Sequence, residues 1–400
     1  MRAQVVVTHP GRQHSHQTAL ALAEAGMLAG YWAGVPCLAG QGRFVPRWLW
    51  RRLVRYEPVA LPPEQVRWTP WTPALRRLGD RLLPAGMAAE NDLRACRGFD
   101  RWAAWRLARL RPDAVIACEI SALETFRAAR QLGIVTLLDA PSIHHRTQDQ
   151  VQPTADSPEL HRRIAAVKDG EVALADHVLT VSELARQTYL DAGVPAGRVH
   201  AVTLGADGEV FAPRSAGAGL DGAFTFLFAG APIPRKGFDL LLAAFAVVSS
   251  AVPEARLRLV GPTGDAPRQV SARGEHGISL AGPLDQRGLA AELAHTDCLV
   301  LPSRHDSFGM VVAEALAVGV PALVSEMVGA KDLVREGESG WIVPRENAAA
   351  LAERMLWCAR HPEEVRAMGA ACRRAAAGAT WPAHHRRLVD LLGTLLPERP

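Results

Sequence analysis

The chain lacks the features that would place it across a membrane, around a metal ion or along a nucleic acid. No stretch approaches the run of about 18 apolar residues that a membrane span needs. The amino end, Met1-Arg2-Ala3-Gln4-Val5-Val6-Val7-Thr8, has an apolar run too short for a signal peptide and reads as a first strand. The six cysteines form no Cys-x-x-Cys pair and no zinc-like spacing with histidine, which suits buried, reduced thiols of a cytoplasmic protein. No Asp-x-Asp pair occurs, so this carboxylate anchor for a divalent ion is missing, and neither a metal nor a resident cofactor is expected. The net charge of +4 is mild, and no dense basic run is interleaved with base-stacking aromatics. That pattern excludes nucleic acid as a partner.

What the chain does have is length and rhythm. Four hundred residues, 48% of them aliphatic or aromatic and 22% charged, suit two soluble globular domains. Short apolar runs predict strands at 4–8, 114–118, 135–139, 177–181, 199–203, 224–228, 257–260, 298–301 and 322–325. Helix-length segments at 18–25, 122–132, 182–192 and 238–249 lie between them. Near-continuous apolar strands alternating with helices predict an α/β fold with parallel sheets covered on both faces. The design starts twice, at Gln4 and at Phe224, so we divide the chain into domains 1–207 and 208–383 with a linker rich in Pro, Gly, Ala and Ser between them. Within that linker, Gly217-Ala218-Gly219-Leu220-Asp221-Gly222 fits a dinucleotide fingerprint, but it precedes a strand instead of following one. Nicotinamide chemistry is thereby set aside.

The segment Leu301-Pro302-Ser303-Arg304-His305-Asp306-Ser307-Phe308-Gly309-Met310-Val311-Val312-Ala313-Glu314 is the most informative. A strand ends at Leu301, and a helix is predicted to start near Ser307 to Gly309, where unpaired amides favour anions or hydroxyl oxygens. Glu314 sits on an apolar helix, where a carboxylate is costly to bury unless it accepts strong hydrogen bonds. Two vicinal ribose hydroxyls would supply them. Asp306, at the helix mouth, is placed to hold sugar hydroxyls. Earlier, Phe226 to Gly230 ends a strand, and the loop Ala231-Pro232-Ile233-Pro234-Arg235-Lys236-Gly237 carries a planar fork and a point charge suited to phosphate oxygens.

These residues resemble glycosyltransferase family 4, which has a GT-B fold of two Rossmann-like domains facing each other across a cleft. Asp306 and Glu314 look like its Glu-x7-Glu motif, followed by the Gly319-Val320-Pro321 turn. The resemblance implies that Glu314 binds the donor ribose and that Asp306 binds the transferred sugar. Amides of Ser307, Phe308, Gly309 and Met310 would contact that sugar or the diphosphate. Gly230, Lys236 and Gly237 match the family's Gly-Arg-Leu-x3-Lys-Gly loop, but Ala231 stands where the family has arginine, and Asp306 stands where it has glutamate. Lys236 and Arg235 would neutralise the departing diphosphate. Gly282, in the stretch 278–284, would let a nucleobase approach the backbone. The similarity covers most of residues 1–390 and is sharpest from 224 to 345. The last helix, 384–400, would pack back on the first domain.

On the acceptor side the resemblance places Gly11 at a turn aimed at the sugar or diphosphate, with His16 as an acceptor or sugar contact and His14 on the surface. Asp139, His144 and His145 follow a strand near the expected reacting centre and stand as catalytic or acceptor contacts, or as loop groups satisfied by their surroundings. Glu119 ends the preceding strand and is expected to point into the cleft. Two arginine- and tryptophan-rich stretches, 48–55 and 68–77, suit either a core helix or the headgroup layer of an anionic membrane. The expectation is a retaining, metal-independent enzyme that moves a sugar from a nucleotide diphosphate to a glycan or lipid-linked acceptor. It would work in the cytoplasm or at the inner membrane face. A sugar-nucleotide 2-epimerase, a phosphorylase-like enzyme and a silent sugar-binding subunit remain the alternatives.

Overall fold

The computed structural model describes residues 2–35, 59–69, 71–151, 157–214, 222–264, 266–273 and 277–397. The tryptophan-rich stretch 48–55 and most of the glycine-rich decoy lie outside these residues.

The first half forms a seven-stranded sheet from β1 (Val5–His9), β2 (Leu28–Ala33), β3 (Val66–Trp68), β4 (Ala114–Cys118), β5 (Val135–Ala140), β6 (His177–Thr180) and β7 (Val199–Ala201), in the order β3-β2-β1-β4-β5-β6-β7. The second half forms a six-stranded sheet from β8 (Thr225–Ala229), β9 (Arg256–Val260), β10 (Ile278–Gly282), β11 (Cys298–Leu301), β12 (Ala322–Ser325) and β13 (Gly340–Val343), in the order β10-β9-β8-β11-β12-β13. Every pairing is parallel. Helices cover both faces, which is why β1, β4, β11 and β12 are buried along their whole length.

Three predicted strands coincide with β4, β11 and β12, and the others differ by a residue or two at their ends. The sequence reading missed β2, β3 and β13, while β10 falls in the stretch 278–284 that the resemblance marks as a strand and turn. Leu28-Ala29-Gly30-Tyr31-Trp32-Ala33 continues the alanine-rich composition of the helix before it and has no β-branched residue, although Tyr31 and Trp32 favour a strand. β3 is a three-residue edge strand, too short to show a period.

The chain passes between the two halves twice, and the two passages pair with each other. Ala206 N–H donates to the Ala379 carbonyl at 2.8 Å, and Trp381 N–H donates to the Ala206 carbonyl at 3.4 Å. Gly205 is required there, because a Cβ on it would lie 2.1 Å from the Thr380 carbonyl carbon. Beyond this crossing, Thr380 caps the helix Trp381–Leu395. Leu388, Leu392 and Leu396 then bury against Val5, Val7, Leu28 and Leu137 of the first sheet.

This docking generates a stability prediction. Leu392 is fully buried, so Leu392→Ala is expected to cost about 2–5 kcal/mol. Urea unfolding followed through probes in the first half should show the loss. An unchanged midpoint would mean that the last helix does not support that lobe.

Candidate active site

In each sheet the strand order reverses beside its first strand, between β1 and β4 and between β8 and β11. Ligands of open α/β sheets bind outside the carboxyl ends of strands at such switch points. The loops leaving β1, β5, β8 and β11 meet at one cavity of about 760 Å³, lined by both halves. Ser307 joins the walls, because its Oγ accepts from Ile143 N–H at 3.0 Å and its carbonyl accepts from Ser182 Oγ at 2.6 Å.

The second-half wall is built by glycines that let loops touch. Gly237 has φ +66°, and a Cβ on it would meet the Pro302 carbonyl oxygen at 2.0 Å. The loop after β8 therefore lies directly on the loop after β11, and Lys236 Nζ forms an ion pair with Asp306. Two residues expected to hold different parts of a donor thus hold each other. Asp306 is itself fixed through its backbone, donating to the Met327 carbonyl and accepting from Gly329 N–H, both at 2.9 Å. Gly309, at φ +87°, turns the chain into the helix Met310–Val318.

Glu314 lies on that helix, buried and lining the cavity, with no hydrogen-bond or ion-pair partner among the described residues. Burial alone pushes its carboxyl pKa up to about 7. Arg304, by contrast, is fully engaged: it forks onto Asp239 at 2.7 and 2.8 Å and onto Glu346 at 2.6 and 3.1 Å. It braces the β11 loop and is not a free cation. His305 lines the cavity with its buried Nδ1 unpartnered, and burial lowers its pKa to about 4, so it is neutral at pH 7.

Of the expected site residues, Gly230, Arg235, Lys236, Asp306, Ser307, Phe308, Gly309, Met310 and Glu314 line this cavity. Gly282 stops just short of it, though Pro283 and Leu284 reach it. The first-half expectations are largely displaced. Gly11 sits over His9, whose Nδ1 accepts from its N–H at 2.8 Å. The His16 ring turns back to the Gln13 carbonyl at 2.8 Å. Glu119 does not open on the cavity; it is buried against Lys168 at 3.2 Å and Tyr189 at 3.4 Å. His144 and His145 are buried and stacked, 4.4 Å between ring centroids, below the cavity wall. Together with Asp169 they form the one group among the described residues with metal-ligand spacing, but Arg146 shares that carboxylate at 3.3 Å. Burial lowers the pKa of both histidines, so the ion pair here is the one between Arg146 and Asp169.

His14 is the main correction. It was expected at the surface, yet it lines the cavity and its Nε2 lies 3.0 Å from Asp139, which is itself buried beneath. Burial works against charge on both groups, but their mutual attraction and hydrogen bond win, raising the histidine pKa and lowering that of the aspartate. Ser142 and Gln148 also line the cavity and were not anticipated. No motif marks them; only the path of the loop after β5 brings them there.

Two Rossmann-like halves facing one cavity define a GT-B architecture, and solved structures agree. Sucrose-phosphate synthase from Thermosynechococcus elongatus superposes with a TM-score of 0.74 at 21% identity, covering 98% of this chain and 99% of that one. HepE from Anabaena, solved with UDP and glucose, superposes with a TM-score of 0.68 at 15% identity, covering 98% and 100%. Residues 223–361, about a third of the chain, match the family described as Glycosyl transferases group 1. D-inositol 3-phosphate glycosyltransferase of Thermobispora bispora is 33% identical over 59% of this chain and 60% of its own length. Phosphatidyl-myo-inositol mannosyltransferase of Mycobacterium leprae is 32% identical over 44% of this chain and 48% of its own length. These matches span less than two thirds of either relative.

The Glu314 environment sets a pH dependence. Its folded pKa, about 7, lies above the ordinary 4.5, so stability falls as pH rises from about 4.5 to 7 and is level beyond. Glu314→Gln removes that penalty and is expected to stabilise the unliganded protein at pH 8 by about 2–3 kcal/mol relative to its effect at pH 4. Parallel denaturation curves at the two pH values measure this. An equal effect at both would mean the carboxylate is solvated.

Proposed function

We propose that the chain is a retaining, metal-independent glycosyltransferase of family 4 that moves a sugar from a nucleotide diphosphate to a polyol phosphate or lipid-linked acceptor. The reading is carried by Glu314, a buried carboxylate without a protein partner that opens on the same cavity as Lys236 and Asp306. A carboxylate only accepts hydrogen bonds, and a ribose diol offers two donors at neighbouring carbons. Lys236, released from Asp306 by the donor, and Arg235 meet the diphosphate, where developing negative charge is greatest. Asp306, freed in turn, accepts from the transferred sugar, and the amides at the start of the helix Met310–Val318 complete the cradle. Cationic side chains take the part that a divalent ion plays elsewhere, in keeping with the missing Asp-x-Asp pair. The relatives that act, by name, on inositol phosphate and phosphatidylinositol support an acceptor of this class.

The helix Trp71–Leu82 suits a membrane-embedded acceptor. Trp71, Leu75 and Leu82 are 42%, 42% and 70% exposed and fall on one stripe at helical spacing. We place this stripe at the surface of an anionic membrane, on its cytoplasmic side. No helix among the described residues is long and apolar enough to cross a membrane. The five described cysteines are free and buried, as in a reducing compartment.

UDP-, GDP- and ADP-sugars incubated with chelator, with and without inositol phosphate or phosphatidylinositol, provide the test. Free nucleotide released only with acceptor, and an anomeric configuration retained in the product, is the expected result. An isomerised donor without acceptor would establish an epimerase, and binding without turnover a silent module. Glu314→Ala is expected to weaken nucleotide binding about 10- to 100-fold. Lys236→Ala is expected to lower kcat by about 10²–10³. Anionic vesicles should sediment the wild type but not the Trp71→Ser/Leu75→Ser double variant. Equal sedimentation would remove the membrane from the proposal.

A further inference from the structure

The charges around the cavity do not suffice for a diphosphate. Among the described lining residues, Arg235 and Lys236 are cationic and Asp306 is acidic, while Glu314, with its raised pKa, is only partly ionised at neutral pH, so these four carry at most one net positive charge. Lys236 is moreover already paired with Asp306. The position after Gly230, where the resembling family has an arginine, is held by Ala231, and Arg304 is consumed by Asp239 and Glu346. A ligand bearing two or more negative charges is matched better with another cation, and among the described residues the first-half wall offers one.

We propose that His14, paired through Nε2 with Asp139, is a phosphate contact presented from the first-half wall of the cleft. Three observations place it there. His14 lines the cavity, and its Nδ1 has no protein partner among the described residues and is not among their sealed, unsatisfied atoms. With Nε2 directed at Asp139, Nδ1 is the nitrogen left to meet a ligand. Gln13, immediately before it, has φ +36°, a left-handed conformation that a non-glycine residue adopts at a cost, and functional loops are where such strain is kept. Finally, His14 occupies the amino-terminal cap of the helix Ser15–Glu24, where the helix dipole disfavours a cation. A buried Asp139 directly behind the ring offsets that penalty and keeps the proton on.

The phosphate has two possible sources, the donor diphosphate and a phosphate on the acceptor, and both would meet the same imidazolium. His14 is in the field of Asp139 from β5, His9 from β1, His16 from its own helix and His384 from the last helix. Burial lowers His9, His16 and His384 to about 4, so at neutral pH Asp139 is the charge that matters. Because the His14 pKa is raised in the folded protein, its positive charge is present below that value and is lost as pH rises through it. Phosphate binding should follow the same course.

This inference rests on the donor-site reading above, and the experiment separates the two. UDP and uridine are titrated calorimetrically from pH 6 to 9, with histidine Cε1 resonances followed over the same range. Uridine shares the ribose contact to Glu314 but carries no phosphate, so its pH dependence is subtracted. The remaining UDP affinity is expected to fall about 5- to 10-fold as the His14 resonance titrates. His14→Gln should flatten that profile, and Asp139→Asn should move its midpoint to lower pH. If UDP profiles are flat but the KM for inositol phosphate follows the His14 titration, the proposal stands with the acceptor phosphate as source. If UDP binds and neither profile responds to His14→Gln, the proposal is overturned while the donor site survives. If neither UDP nor GDP binds the wild type, the donor-site reading falls, and this inference falls with it.

Discussion

The contact of Gly237 with the Pro302 carbonyl is the constraint on which the cleft depends. It brings the loop after β8 onto the loop after β11, with no room for a Cβ between them. From that contact follow the pairing of Lys236 with Asp306 and the exposure of the helix amino end at Gly309 to the cavity. A wider junction would separate the cation from the carboxylate and leave two poorly solvated charges. The same contact explains Arg304. A loop held this close needs a brace, and the guanidinium fork between Asp239 and Glu346 provides it.

Within that frame the unliganded cleft is arranged as a set of deferred interactions. Lys236 and Asp306 are paired with each other in the unliganded site. Glu314 has no such companion and is held at a raised pKa instead. A ligand that draws off the lysine must replace its contact with Asp306, whereas one that donates to Glu314 meets no competing partner among the described residues.

The two halves meet at a packed junction that includes Val181, Leu204 and Phe211, and at polar contacts beside it. Ser307 touches Ile143 and Ser182 across the cleft, and the paired crossings at Ala206 and Thr380 tie the lobes on the other side. Both connections lie beside residues that line cavities. Ser307 is adjacent to Asp306, and the crossing leads into the helix whose His384 ring packs near His14 and Asp139 in a small second cavity. Movement of one lobe would therefore be felt at both walls.

Much of this was legible in the amino-acid order. Apolar runs at β4, β11 and β12 mark buried parallel strands because such strands must be apolar on both faces. The spacing of Asp306, Gly309 and Glu314 marks a helix mouth because helical geometry fixes which residues lie near it. The second-half site is local in sequence and so could be read. The first-half wall could not. β2 is short, has no β-branched residue and follows an alanine-rich helix closely, so no run marks it. Glu119 and the His144–His145 pair looked like cleft residues but were turned inward by Lys168, Tyr189 and Asp169, partners up to 70 residues away. His14 looked like surface and became part of the cleft because Asp139, 125 residues later, lies beneath it. Sequence by itself determined the alternation of elements and the carboxylate spacing at the second-half helix mouth, since both depend on short-range periodicity. Tertiary structure alone decided which ionisable groups face ligand and which face each other, because that depends on charges brought together by the sheets.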